Sequence, residues 1–502
     1  MTTVHSSLET WAASRIAMDE IARWRPDGRD FLDPVALRGA LAAAAARPAP
    51  DGAEVRDILS RSRAVQTLEP SQLARLIQVT DPDLLAEMKA AAGEIKRKVY
   101  DNRIVTFAPL YIGNRCVNDC LYCGLRSGND RMVRHVLTDN ELRREVEVLA
   151  GVIGHKRLIV VFGEHPSTDV DFMVRAMRTI YSVRVPARVG VGQIRRVNVN
   201  APPLRTDELR QLKEAGLGTY QVFQETYDPD TYRQVHPSVY KANYSWRLYA
   251  MHRAMEAGID DVGIGALFGL ADWRFEVMGL LAHAIELERQ FGIGPHTISF
   301  PRLEPADNAP YVQQTRWTVS DDDLERIVVL LRLAVPYTGM ILTAREGPEM
   351  RRRLLDCGIT QTDASSRIAV GGYSAEMVSG GQNVQRQQFV LGDTRSLDDL
   401  VRELAGRGLI VSFCTAGYRC GRTGECIMDL LRSGMEGRFC KLNAVLTYRE
   451  WLDDFATEET RQAAEPVLRA EIDEIQRQMP RFFPRFQEAY ERTAQGARDL
   501  YF

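Results

Sequence analysis

Residues 104–124 read IVTFAPLYIGNRCVNDCLYCG: an apolar, β-branched run that ends in three cysteines spaced C-x3-C-x2-C. The run has the composition of a buried strand. Seven further runs of the same kind follow: RLIVVFG from 157, RRVNVN from 195, TYQVFQET from 219, DVGIGALFG from 261, TISFPR from 297, GMILTA from 339 and a weaker ITQTDAS from 359. Between them lie helix-length amphipathic stretches, among them ELRREVEVLAGVIG, VDFMVRAMRTIYSV, RTDELRQLKEAG and FEVMGLLAHAIELERQFG, often stopped by glycine. Eight strands alternating with helices over about 260 residues predict an α/β fold, a (β/α)8 barrel. An open doubly wound sheet is the alternative, but no G-x-G-x-x-G follows the first strand.

Outward from the barrel, residues 1–95 carry helical patterns such as LETWAASRIAMDEIARW and VALRGALAAAAARP. Residues 386–502 hold a second cysteine group and close on charged helical sequence. Three parts are therefore expected: a helical region over 1–95, the barrel over 96–385, and a mostly helical module over 386–502. The chain of 502 residues is 45% apolar and 26% charged, with a net charge of -3. That balance gives no electrostatic pull toward nucleic acid or an anionic membrane. No stretch approaches 18 uninterrupted apolar residues, and the N-terminus lacks a secretory apolar core, so a cytoplasmic protein is expected.

Eight cysteines are too few for a disulfide scaffold in such a chain, and seven of them cluster. Cys116, Cys120 and Cys123 sit on the loop after the first strand, where barrel sites form. A single zinc would want a fourth ligand, and none is obvious nearby. A [4Fe–4S] cubane held by three cysteines leaves one iron open to a small molecule. With Tyr122 just before the last cysteine, the motif resembles the signature of radical S-adenosylmethionine enzymes. That resemblance implies a [4Fe–4S] cluster and S-adenosylmethionine as cofactors. It makes Tyr122, Gly163 and Glu164 candidates for contacts to the cofactor. Arg196, Asn198 and Asn200 alternate onto one face of the third strand. A polar row inside a barrel must be paired or bind something. Arg196 and Asn198 are assigned to the cofactor and Asn200 to the substrate. Arg302, Thr343 and Arg345 stand at strand ends, where arginine offers a two-donor fork for a carboxylate.

A closer resemblance covers roughly residues 80–455. PLYIGNRCVNDCLYCG, IRRVNVN, EAGLGTYQVFQETY, FGIGPHTISFPRL, LRLAVPYTGMILTARE and CTAGYRCGRTGE are similar to the family of the hydrogenase maturase HydG and, more loosely, to the tyrosine lyase of thiamine biosynthesis. The resemblance implies cleavage of L-tyrosine at Cα–Cβ to p-cresol and dehydroglycine. In that family the latter goes on to CO and cyanide at a second iron–sulfur cluster, for assembly of the [FeFe]-hydrogenase cofactor. The family's second-cluster pattern is C-x2-C-x22-C. Cys414 and Cys440 match its outer positions, and Gly417 stands at the middle one. Cys420 and Cys426 are present instead, and His296 matches the histidine that holds an extra iron in the family. A modified cluster, a fully ligated [4Fe–4S] cluster, and zinc or free thiols all stand open for this group. Expected partners are a small amino acid, a reductant such as ferredoxin or flavodoxin, and a metallocofactor assembly scaffold. Two competing functions remain: a lyase acting on tryptophan or another amino acid, and an iron–sulfur carrier with no lyase activity.

Overall fold

The structure is a computed structural model that describes residues 8, 10–237, 240–374, 382–419 and 436–502. Eight parallel strands close on themselves: β1 (Arg103–Gly113), β2 (Arg157–Phe162), β3 (Arg196–Asn200), β4 (Leu217–Gln221), β5 (Val262–Gly265), β6 (Thr297–Ser299), β7 (Gly339–Leu342) and β8 (Gln361–Asp363). Closure is made by β8 against β1, with Val105 opposite Gln361 and Phe107 opposite Asp363. All eight strands fall on the runs that the sequence marks, so the barrel expectation holds and the open sheet does not.

A ninth strand, β9 (Ile410–Ser412), pairs in parallel with Arg103–Val105 at the start of β1. The sequence reading placed this segment in a mostly helical module. GLIVSF is apolar and β-branched, but it lies beyond the strand–helix alternation that marks the barrel. β9 needs an existing edge, and β1 provides it, because its 11 residues outrun the 6 of β2.

Helices connect the strands on the outside. They include Val170–Ser182, Trp273–Phe291 and Asp321–Ala334, each opened by an Asp or Ser whose side chain accepts a backbone N–H of the first turn. At the N-terminus, Pro34–Ala45 and Pro82–Tyr100 begin with an Asp–Pro pair. The aspartate caps the first turn, and the proline occupies a position whose N–H has no helical partner. These helices share one apolar core with the outer wall of the barrel: Ile58, Leu73 and Ile95 are packed in the same cluster as Leu280 and Leu331. A second core joins Ile104 of β1 to the helices Leu397–Gly406, Glu436–Asp454 and Glu458–Gln478. The two cores leave the barrel interior to polar groups at both ends, with a plug of Phe107, Ile159 and Ile341 between. No helix among the described residues is long and apolar enough to cross a membrane.

Candidate active site

The C-terminal ends of the strands open into one cavity. Cys116, Cys120 and Cys123 line it together with Tyr122, Gly163, Glu164, Asn200, Thr343 and Arg345. The cysteine loop is braced from within. Asp119 accepts Arg126 Nε at 2.7 Å and the Gly128 N–H at 3.0 Å. Arg134 donates to the carbonyls of Asn114 (2.8 Å), Leu125 (2.8 Å), Arg126 (2.5 Å) and Asn129 (3.2 Å), tying the loop's two ends to one guanidinium. Gly163 has a steric reason: a Cβ there would sit 2.0 Å from the Arg115 carbonyl oxygen. The Val117 N–H donates to the Glu164 carbonyl at 2.8 Å, so the turn after β2 seats the cysteine loop.

Burial pushes the Cys116 thiol up to about 11, with Glu164 adding to the effect, and pushes Cys120 and Cys123 up as well. Thiols that resist ionisation become thiolates when a metal core compensates the charge. Among the described residues no three His, Cys, Asp or Glu side chains close on a single point. A cubane does not ask for that, since each thiolate takes a different iron. Three thiols on one loop are the donor set that such a cluster takes. Gln388 donates to Cys123 Sγ at 3.3 Å and accepts from Tyr111 Oη at 2.7 Å.

Beside the cysteines lies a charge network that sequence reasoning missed in part. Arg247 pairs with Glu164 at 3.3 Å and with Glu225 at 3.2 Å, and Lys241 Nζ reaches Glu225 at 2.7 Å. Asn118 donates to Glu164. Burial opposes ionisation of Glu225, but Lys241 and Arg247 outweigh it and hold the carboxyl below its ordinary range. Glu225 follows β4 much as Glu164 follows β2, and that parallel was available in the sequence. Lys241 and Arg247 come from the segment after the helix Pro229–Val235 and carry no local signal. Tyr122 Oη lies 2.8 Å from His236 Nε2, inside the protein.

In the same cavity, the Arg345 guanidinium lies 3.4 Å from the Phe389 ring centroid, and among the described residues no ion pair engages it. Glu304 also lines the cavity, and burial, then Glu346, raises its carboxyl to about 7. Arg302 does not line this cavity. Its fork is occupied by Glu346 (2.6 Å) and Asp321 (2.7 Å), so the expectation that it binds a carboxylate gives way to a structural ion pair.

Arg196 and Asn198 are also placed elsewhere. They lie at the opposite end of the barrel, bonded to each other at 3.0 Å. Arg196 Nη2 reaches Asp261 at 3.0 Å and Thr219 at 2.7 Å, and Nη1 donates to the Cys414 carbonyl at 3.0 Å. The assignment of both residues to the cofactor is therefore corrected: strand alternation gave their shared face but not their depth, and only Asn200, at the strand's end, reaches the cavity. Cys414 and Cys440 line a small second cavity with Arg103, Thr415 and Gly417. His296 Nε2 lies 3.7 Å from Asp261 Oδ2, so His296 and Cys414 are linked through Asp261 and Arg196. Cys420 and Cys426 lie outside the described residues.

Comparison with known proteins places this geometry. Residues 110–278 match the radical SAM superfamily and residues 299–410 the biotin and thiamin synthesis associated domain. The chain is 41% identical to a crystal structure of HydG, a maturase of the [FeFe]-hydrogenase, over 94% of this chain and 100% of that one, with a TM-score of 0.88. HydG from Carboxydothermus hydrogenoformans is 34% identical over 92% of this chain and 98% of its own, with a TM-score of 0.75. The 2-iminoacetate synthase of Salmonella typhimurium is 28% identical over 68% of this chain and 86% of its length.

Proposed function

We propose a function from one premise: the chain belongs to the radical SAM superfamily and, within it, to the HydG family. It is a radical SAM carbon–carbon lyase that cleaves L-tyrosine at Cα–Cβ to p-cresol and dehydroglycine. The observation that carries this reading is one cavity lined both by three cysteines and by a guanidinium that no ion pair engages among the described residues.

Cys116, Cys120 and Cys123 would hold a [4Fe–4S] cluster, and Glu164, Glu225, Lys241 and Arg247 would hold S-adenosylmethionine. When bound, the two supply one electron and a 5′-deoxyadenosyl radical that takes a hydrogen atom from the amino acid. The chain's own residues bind, orient and exclude. Two carboxylates beside two cations suit a molecule that carries an ammonium, a carboxylate and ribose hydroxyls together. Arg345 would take the substrate carboxylate, with Thr343 and Asn200 nearby. Phe107, Ile159, Phe162, Phe223 and Ile341 would pack an aromatic ring and keep water away.

The second cysteine group extends the reading. Cys414 and Cys440, with His296 linked to Cys414 through Asp261 and Arg196, would hold a second iron–sulfur centre at the other mouth of the barrel. Onward conversion of dehydroglycine to CO and cyanide, and delivery to a cofactor assembly scaffold, rests on that centre and on a one-electron donor such as ferredoxin or flavodoxin. Gly417 cannot ligate iron through a side chain, so this centre differs from the family's pattern.

Anaerobic incubation of cluster-loaded protein with S-adenosylmethionine, dithionite and each aromatic amino acid in turn tests the proposal. Tyrosine is expected to give p-cresol, and infrared bands of CO and cyanide report the second step. Turnover of tryptophan alone would transfer the assignment to the alternative lyase. No 5′-deoxyadenosine with any amino acid would favour the carrier reading.

A further inference from the structure

Glu225 is the acidic residue that Lys241 and Arg247 share, and it is held in an unusual backbone state. Its φ is 72°, in the left-handed region that a residue with a side chain enters at a cost of roughly 1–3 kcal/mol. Something outside the cavity must therefore fix this turn. The helix Trp273–Phe291 presents Glu276, Gly279 and His283 to it, three residues whose spacing of three and four puts them on one face.

Each of the three meets the turn. Glu276 is fully buried; its carboxyl oxygens accept Thr226 Oγ1 and the Tyr227 N–H, the latter at 2.8 Å. Tyr227 Oη lies 2.9 Å from His283 Nδ1. Between them, a Cβ on Gly279 would come within 2.5 Å of Tyr227 Cγ, so the glycine is what lets the ring lie on the helix. No ion pair engages Glu276 among the described residues. A buried carboxyl without a counter-charge is costly, and an apolar residue would serve packing better. Burial pushes its carboxyl up to about 8. In the neutral form, one oxygen donates to Thr226 and the other accepts Tyr227 N–H, a pattern that an amide reproduces.

We infer that Glu276 is a positioning residue: with Gly279 and His283 it clamps Thr226 and Tyr227, and thereby sets Glu225 where it contacts S-adenosylmethionine. This rests on the proposed reading that Glu225 faces that cofactor.

The test is the dissociation constant of S-adenosylmethionine for cluster-loaded protein, measured anaerobically by equilibrium dialysis. Glu225→Gln and Glu276→Ala are each expected to weaken binding about ten-fold or more, as loss of a charge-assisted contact does. The double variant should bind no more weakly than Glu225→Gln alone, because Glu276 acts through Glu225. Glu276→Gln should stay within about two-fold of the wild type. Where Glu276→Ala gives no folded protein, Gly279→Ala takes its place, with the same loss and the same non-additivity. Wild-type affinity in Glu276→Ala or Gly279→Ala, or losses that add in full to that of Glu225→Gln, would overturn the inference while leaving the cavity assignment standing. An unchanged affinity in Glu225→Gln would overturn both.

Discussion

Arg345 shows how much one side chain can decide. It is an arginine set inside the barrel mouth against an aromatic ring, with no ion pair among the described residues. Replacing it by leucine keeps the bulk and removes the fork. A charge-assisted contact of about 1.5–3 kcal/mol then goes, and KM for tyrosine should rise roughly ten- to a hundred-fold with a smaller change in kcat. Steady-state kinetics on p-cresol release checks this. Glu304 adds a pH dependence. Its carboxyl is raised to about 7, so it is neutral below that pH and leaves Arg345 to the substrate. Above it, the ionised group competes for the guanidinium. KM should climb as pH passes about 7, and Glu304→Gln should flatten the climb. The sequence marked Arg345 by its place at a strand end. It marked Arg302 by the same rule and misled, because the rule cannot see that Glu346 and Asp321 already fill that fork.

At the scale of elements, the cysteine loop and the turns around it form one assembly. Arg134 spans four carbonyls of the loop, and Gly163 gives the Arg115 carbonyl room to seat. Arg134→Ala and Gly163→Ala should each lower the iron bound after reconstitution well below that of the wild type, while far-ultraviolet circular dichroism keeps the barrel's signal. Iron retained in full in both would show that the loop holds its shape unaided. The eight strands were legible because each is a β-branched run between helical stretches, the pattern a parallel barrel buried on both faces requires. β9 was not legible: it lies outside the strand–helix alternation and pairs only with the edge that β1 leaves. The helix Trp273–Phe291 read as ordinary amphipathic sequence. The part that Glu276 and Gly279 play depends on a turn about 50 residues earlier in the chain, and no local pattern encodes that.

Across the whole molecule, Cys116, Cys120 and Cys123 face one mouth of the barrel, and Cys414 and Cys440 face the other. The first three line the cavity at the strands' C-terminal ends. Cys414 and Cys440 line the small cavity at their N-terminal ends with Arg103, and Arg196 ties Cys414 to Asp261. The chemistry of each end should therefore separate. Cys414→Ser with Cys440→Ser should remove the second centre and its CO and cyanide, yet leave p-cresol formation within about two-fold of the wild type. Loss of p-cresol in that variant would show that the ends act together. Sequence spacing drew attention to the first group, because three cysteines in eight residues have few uses. It placed Arg196 and Asn198 at the wrong end, since periodicity along a strand fixes the face a side chain takes and not its height in the barrel.

The most direct measurement counts two products from one reaction. Wild-type protein, loaded with iron and sulfide without oxygen and given S-adenosylmethionine, dithionite and tyrosine, should release 5′-deoxyadenosine and p-cresol in near-equal amounts. A variant with Cys116, Cys120 and Cys123 all replaced by alanine should release neither. p-Cresol from the cysteine-free variant, or none from a wild-type protein that carries its full iron, would contradict the assignment.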